Sequence, residues 1–146
     1  MIDTIEIREA RLSDCTFIYG FVCSLEDTEF DFALFQSIFI ENLENKHNIY
    51  LVALANKEPV GFLSCHSQLL LHHNSRIGEI QELYVDESFR SKRIGQTLLY
   101  QLEIIAIQRG FAGLEVTSNK KRLQAHRFYK KIGFKDSHFK FTKIIS

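Results

Sequence analysis

Apolar and polar positions along the chain change period several times, and each change marks an element. Residues 4–9, "TIEIRE", alternate and predict a strand. Phe17, Ile18, Phe21, Val22 and Leu25 then recur at helical spacing to about residue 26, behind Ser13 and Asp14, which offer an N-cap. Asp31 offers a cap for a second helix, whose Phe35, Ile38, Phe39 and Leu43 fall on one face. These aromatic stripes read as core, with a few rings available to wall a pocket. The apolar run at 48–55, the "NKEP" turn at 56–59 and the run at 60–71 read as a hairpin. "HHNS" (72–75) turns the chain into a third strand at 76–85.

A helix from about 95 to 109 stops at Gly110, and a strand follows at 113–118. A further helix at 122–132 stops at Gly133. The closing stretch, 134–145, with Phe139 and Phe141 alternating, reads as one strand or two. The order β-α-α-β-β-β-α-β-α-β predicts an α/β (α+β) fold with a mixed sheet, antiparallel early and parallel across the crossover helix. No linker or repeat interrupts it, so residues 1–146 are expected to form a single domain.

Charge narrows the function classes. Eighteen basic and eighteen acidic residues cancel. A nucleic-acid or polybasic membrane binder needs a net or segregated positive field, so neither partner is expected. Cys15, Cys23 and Cys65 are odd in number and lack CxxC spacing. They read as free thiols in a reducing cytoplasm. The charged, alternating N-terminus does not read as a signal peptide.

Against this neutral background, "FRSKRIG" (89–95) gathers three cations within four residues at the mouth of a helix. The first amides of a helix lack internal acceptors, and with the helix dipole they form an anion site. Arg90, Lys92 and Arg93 add charge there, and Gly95 lets a ligand approach the backbone. A pyrophosphate fits such a cradle, although neither a Walker loop nor a dinucleotide fingerprint is present.

Arg90-Ser91-Lys92-Arg93-Ile94-Gly95 resembles the [QR]-x-x-G-x-[GA] pyrophosphate loop of the GNAT superfamily of acyl-CoA-dependent N-acyltransferases. Arg93 replaces the middle glycine, which implies strain if that position needs positive φ. "EIQELYV" (79–85) resembles the family's fourth strand. Asn119 and the A-x-x-F-Y-x-x-x-G-F run from Ala125 to Phe134 resemble its fifth-strand end and last helix. "EFD", "LHH", "IGEIQEL", "AHRFY" and "SHFKFTK" are similar to the bacterial aminoalkylphosphonate N-acetyltransferases in particular.

The resemblance implies transfer of the acetyl group of acetyl-CoA to a primary amine by direct attack. The small aminoalkylphosphonates are the expected acceptors. It implies that Leu83, Tyr84 and Val85 pair with the pantetheine arm, with the Leu83 amide as oxyanion donor. Arg90, Ser91, Lys92, Arg93, Ile94, Gly95 and Gln96 would hold the pyrophosphate, and Asn119, His126 and Tyr129 would complete the cofactor site. Tyr129 would protonate the departing thiolate. Glu79 sits where related enzymes place a general base, with Glu82 as its rival; simple alternation puts the two on opposite faces unless a bulge intervenes.

A divalent metal is also implied for the subgroup, with ligands unknown. His66, His72, His73, His126 and His138 would be its nearest imidazoles if they crowded one end of the hairpin. His66, His138 and Lys140 are candidates for the anionic end of the substrate. Lys120, Lys121 and Arg122 read as a solvated face. Cys65 and His66, being neighbours on a strand, cannot form a nucleophile dyad. A homodimer would fit the family. The alternatives are another acceptor (a protein N-terminus or lysine, a polyamine, an aminoglycoside), for which the acidic Glu26, Asp27, Glu29 and Asp31 are the only sequence hint, or a non-catalytic acyl-CoA-binding module.

Overall fold

The computed structural model describes residues 3–146. In chain order its elements are β1 (Ile5–Glu9), α1 (Cys15–Glu26), α2 (Phe32–Glu44), β2 (Ile49–Ala55), β3 (Glu58–Leu70), β4 (Ser75–Val85), α3 (Ile94–Gln108), β5 (Phe111–Val116) and α4 (Leu123–Lys131). Short 3-10 turns occupy Leu12–Asp14 and Glu87–Lys92. The strands form one sheet in the order β1-β2-β3-β4-β5. It is antiparallel through β4, and β5 joins parallel to β4 after the α3 crossover.

Each face of the sheet has its own helical cover. On one, Ile18, Val22 and Phe39 of α1 and α2 pack on Tyr50, Val52 and Phe62. On the other, Leu98, Leu99 and Leu102 of α3 pack on Leu51, Ala53 and Leu63. Strand β2 is therefore buried on both sides, which explains why its sequence is a continuous apolar run rather than an alternating one.

Local chemistry sets the ends. Asn56 and Lys57 both take positive φ, 52° and 71°, the two-residue hairpin turn that matches strand twist. Pro59 sits beside a register shift at Ala53/Leu54, where a missing N–H is tolerated. The Asp31 carboxylate accepts the Leu34 N–H at 2.9 Å and caps α2 as expected. Asp14 does not cap α1 with its side chain. It turns back to accept the Arg11 N–H at 2.7 Å and the Arg8 guanidinium at 2.7 and 3.0 Å. Burial pushes its carboxyl pKa up, but the hydrogen bonds and charges of Arg8 and Arg11 outweigh this and hold it low.

The closing strand expected at 134–145 does not form. Beyond Phe134 the chain stays without regular structure to Ser146, and the element order ends on α4. The alternation at Phe139 and Phe141 suits a strand, but a strand exists only with a neighbour. Among the described residues this segment pairs with none.

Arg93, at the start of α3, is left-handed, with φ 61° and ψ 25°. A Cβ there meets the following carbonyl, at a cost of about 1–2 kcal/mol, part of which glycine would return as unfolded-chain entropy. Arg93→Gly is expected to raise the unfolding free energy of the ligand-free protein by about 0.5–1 kcal/mol. Urea denaturation checks this through the midpoint at unchanged slope. An unaltered or lowered midpoint means the turn is not strained.

Candidate functional site

Strands β4 and β5 are paired from Arg76/Phe111 only to Ile80/Val116. On its other side β4 stays paired with β3 as far as Val85. Residues 81–85 of β4 therefore face a gap where the next strand has left. The direction of their amides follows from two bonds. The Glu82 N–H donates to Ser64 Oγ at 3.0 Å and the Asp86 N–H to the Val60 carbonyl at 2.7 Å, both towards β3. Successive strand amides point to alternate sides. The amides of Leu83 and Val85 are thus directed into the gap.

Helix α3 begins beside this gap. Ile94 is buried and anchors the first turn, while Arg93 and Gln96 are exposed. A Cβ on Gly95 would meet only Phe128 at 3.5 Å and Val85 at 3.7 Å, ordinary contacts. The protein's own packing does not demand a glycine here, but a ligand passing between Val85 and Phe128 would. The three cations fare differently. The Arg90 Nε donates to the Val85 carbonyl at 2.9 Å, with its guanidinium 5.6 Å from the Tyr84 ring centre. Lys92 pairs with Asp3 and lies over Phe89. That bond to Lys92, joined by Asn56, holds the Asp3 carboxyl below the usual carboxylate range. Arg93 makes no ion pair among the described residues. Ser91 is exposed in the turn between them.

The two glutamates lie on one face of the sheet. Glu79 is opposite His66 and Ile80 opposite Cys65, but Glu82 is opposite Ser64. Gln81 is therefore an extra residue, a bulge that returns Glu82 to the side of Glu79. Across β3, Tyr50 is opposite Ser64, so Tyr50, Ser64 and Glu82 form a row, next to His66 and Glu79. The Ser64 hydroxyl donates to the Glu82 carboxylate. Burial pushes the Glu82 pKa up, partly offset by the Ser64 hydrogen bond and reinforced by the charge of Glu26. The Glu79 carboxylate accepts from Thr117 Oγ1 at 3.1 Å and from Gln81 Nε2 at 3.2 Å.

This face opens into a cleft of about 160 Å³. Phe35, Ile38 and Phe39 wall it on the helix side, and Tyr50, His66 and Glu82 on the sheet side. Tyr50 accepts from Asn42 Nδ2 at 3.1 Å and meets His66 Nε2 at 2.8 Å. Burial pushes its phenol up to about 12, so it stays protonated and is the donor to His66. Burial also lowers the His66 pKa against the charge of Glu79, which favours the neutral imidazole.

From the far side of the gap, α4 brings Tyr129 against the α3-side core, between Phe128 and Phe134 with ring centres 5.4 and 5.7 Å away. Burial raises its phenol pKa, against the charge of Arg122. Asn119 Oδ1 accepts the Lys121 N–H at 2.9 Å, leaving its amide hydrogens for another partner. His126 Nε2 donates to the Asn119 carbonyl at 2.8 Å and so braces that loop. Lys120, Lys121 and Arg122 are exposed. The buried Ser118 hydroxyl, just beyond the end of β5, has no hydrogen-bond partner among the described residues.

The imidazoles do not crowd one end of the hairpin. His66 lies mid-strand against Tyr50, and His72 and His73 sit at the β3–β4 turn, where His73 is 3.6 Å from Glu115. His126 is on α4. His138 and Lys140 stand on the exposed terminal segment and do not line the cleft. No group of three or more His, Cys, Asp or Glu side chains is placed to hold a metal among the described residues. Cys65 faces the α3-side core with its thiol pushed up to about 12 by burial and by Glu79, so it is no nucleophile. Sequence reasoning missed Ser64, Tyr50 and Asn42. Tyr50 was hidden in an apolar run and Ser64 in a strand whose register only the bulge reveals.

The Acetyltransferase (GNAT) family profile matches residues 8–134. An aminoalkylphosphonate N-acetyltransferase of Salmonella typhimurium is 43% identical over 140 residues, covering 96% of this chain and 91% of that protein. An uncharacterized N-acetyltransferase of Archaeoglobus fulgidus is 29% identical over 85% of this chain and 88% of its own. Among solved structures, one described as a transcriptional regulator from Bacillus halodurans superposes with a TM-score of 0.88 at 25% identity, over 97% of this chain and 100% of that one. An aminoglycoside N-acetyltransferase in complex with CoA has the same fold, with a TM-score of 0.88 at 14% identity over 99% of this chain and 97% of that one. With a parted strand pair, a basic helix mouth beside it and these relatives, the chain belongs to the GNAT family and is an acetyl-CoA-dependent N-acetyltransferase acting on an amine.

Proposed function

We propose that the acceptor is a small aminoalkylphosphonate. The observation that carries this is the 43% identity, over 96% of the chain, to an enzyme of that name. The cleft supports it, because about 160 Å³ lies well below the roughly 300–1,000 Å³ of sites for drug-sized ligands. A cleft of this size suits a small amine better than a whole aminoglycoside held inside it.

In this reading the pantetheine arm lies along residues 83–85 of β4, and the pyrophosphate meets the amides of Ile94, Gly95 and Gln96. Arg93 and Arg90 supply the charge. The Ser118 hydroxyl and the amide hydrogens of Asn119 are available to the arm's polar groups. The acetyl thioester then sits in the gap, with the Leu83 N–H directed at the carbonyl oxygen that becomes an oxyanion. Acetyl-CoA supplies the activated acyl group, and the protein's residues position it and move protons.

The amine arrives as an ammonium ion. With a lysine-like pKa of about 10.4, only roughly a thousandth of it is neutral at pH 7. Glu79 is the proposed base, acting directly or through water, and its partial exposure lets it return the proton to solvent. Tyr129, kept protonated by burial, donates to the departing thiolate. A second reading makes Glu82 the base, on the specific observation that it lines the cleft and that burial raises its pKa.

Thiol release from acetyl-CoA with a panel of amines tests the acceptor. Aminomethyl- and aminoethylphosphonate are expected to be turned over with at least tenfold higher kcat/KM than polyamines, aminoglycosides or peptides, and the reverse ranking ends the phosphonate reading. For the base, Glu79→Gln is expected to lower kcat about 10²–10⁴-fold and to erase the acidic limb of the pH–rate profile, which reports the base losing its proton. If Glu82→Gln erases that limb while Glu79→Gln keeps it, the second reading holds. Tyr129→Phe is expected to lower kcat with acetyl-CoA affinity within about threefold of the parent. Unchanged turnover removes the acid role.

A further inference from the structure

The cleft between the α1–α2 pair and the sheet is walled mostly by rings and aliphatic groups. Its polar lining is Asn42, Tyr50, His66, Gln81 and Glu82, and among the described residues no lysine or arginine joins them. An acidic group entering here is therefore met by uncharged donors. Most of these are already engaged. Asn42 Nδ2 donates to the Tyr50 hydroxyl at 3.1 Å, and the Tyr50 hydroxyl to His66 Nε2 at 2.8 Å. Gln81 Nε2 donates to the Glu79 carboxylate at 3.2 Å, and Glu82 accepts from Ser64. The proton of the neutral His66 ring is the one these contacts leave over.

Tyr50 decides which ring nitrogen carries that proton. A neutral imidazole holds one N–H, and the nitrogen that accepts a hydrogen bond is the bare one. Tyr50 gives its proton to Nε2, so the His66 hydrogen is on Nδ1. Histidine in water favours the opposite form. The ring is pinned as well. It lies parallel to the Tyr50 ring, at 10° with centres 5.7 Å apart, and Tyr50 is itself buried against Phe39 and Phe62. Glu79, opposite His66 on β4, is engaged elsewhere, by Thr117 beyond β5 and by Gln81.

We propose that Tyr50 is a positioning residue for acceptor recognition: its hydroxyl, held by Asn42, occupies His66 Nε2 and so leaves His66 Nδ1–H as the donor that the cleft offers to a phosphonate oxygen of the substrate. The relay runs from α2 through β2 to β3, so three elements set one proton. Strand spacing suits a short bifunctional molecule. His66 is two residues along β3 from Ser64, which faces Glu82, so the ring stands about 7 Å from that carboxylate row. The acid end is held at the ring while the amine end turns towards the row and the gap. The ligand named here rests on the aminoalkylphosphonate reading, whereas the tautomer belongs to the free enzyme.

Protein labelled with nitrogen-15 in its imidazoles tests both halves. Long-range nitrogen–proton spectra of the ligand-free enzyme in mildly alkaline buffer are expected to show the His66 ring, identified by its loss in His66→Phe, with Nδ1 protonated and Nε2 bare. Tyr50→Phe keeps the ring stack and removes only the hydroxyl. It is expected to leave Nδ1–H in about a fifth of molecules and so to raise KM for aminoethylphosphonate about fivefold, with kcat within about twofold. His66→Phe is expected to raise the same KM about tenfold or more. Tyr50→Phe/His66→Phe, which removes both polar partners, is expected to match His66→Phe within about twofold, because Tyr50 acts only through the ring. A parent ring protonated on Nε2, a tautomer that Tyr50→Phe leaves unchanged, an unmoved KM in that variant, or effects that multiply in the double variant each overturn the proposal. Failure of the phosphonate reading is seen separately, in a parent enzyme that does not turn over aminoethylphosphonate, and it overturns the ligand assigned here along with it.

Discussion

Everything at this site depends on one strand keeping one neighbour and losing the other. Strand β4 is held by β3 to Val85 but by β5 only to Ile80. Had both ladders run to the end, the amides of Leu83 and Val85 would be spent on β5 and the sheet would be closed. The parting leaves those amides without a strand partner, to be met by water or by a ligand arm. The single extra residue, Gln81, falls at the point where the strands separate. Bulges strengthen local twist, and here the same residue both turns β4 from its neighbour and resets which face Glu82 occupies. The Ser64 hydroxyl fixes that register by accepting the Glu82 N–H and donating to the Glu82 carboxylate.

The helix mouth illustrates how a charge run divides its labour. Arg90 is bonded to the Val85 carbonyl and rests on Tyr84, which stacks on Phe21 at 4.9 Å. It ties the loop to the end of β4 and so couples the position of α3 to the width of the gap. Lys92 is drawn to Asp3, next to β1. Arg93, at positive φ, caps the start of α3 without a side-chain hydrogen bond to it. Among the described residues Arg93 has no ion pair, and in the proposed reading its charge, held at positive φ beside unpaired amides, is met by the cofactor's pyrophosphate.

Most of the fold was legible because its elements carry strong local signals. Asp31 before α2, Gly110 after α3 and the Asn56-Lys57 turn each act through their immediate neighbours, and each is where the chain pattern puts it. The site was legible where it rests on a loop-and-helix motif, and less so on the strand. Alternation assigns Glu79 and Glu82 to opposite faces, and no residue near 81 announces a bulge. The row of Tyr50, Ser64 and Glu82 spans three strands, so it exists only in the paired sheet. The tail failed for a related reason: strand pattern records the wish for a partner and not the partner's identity. Phe139 and Phe141 alternate as strand residues do, yet among the described residues no strand accepts them.

The partition of the sheet also argues against a covalent enzyme intermediate. Direct transfer needs the proposed base and acid on either side of the thioester. Glu79 and Glu82 reach the gap from the α1–α2 face, whereas Tyr129 packs on the α3 side, and the parting of β4 from β5 is where the two faces communicate. A nucleophile route would need a thiolate in that opening. Cys65 points into the core with its thiol near 12, and His66, its neighbour, faces the other way and is engaged by Tyr50. Partly exposed carboxylates on one side and a protonated phenol on the other suit a reaction in which the proton enters from the amine and leaves on the thiol. On the proposed mechanism the acyl group passes directly between the substrates, and the enzyme's task reduces to holding them in line and matching two proton affinities to them.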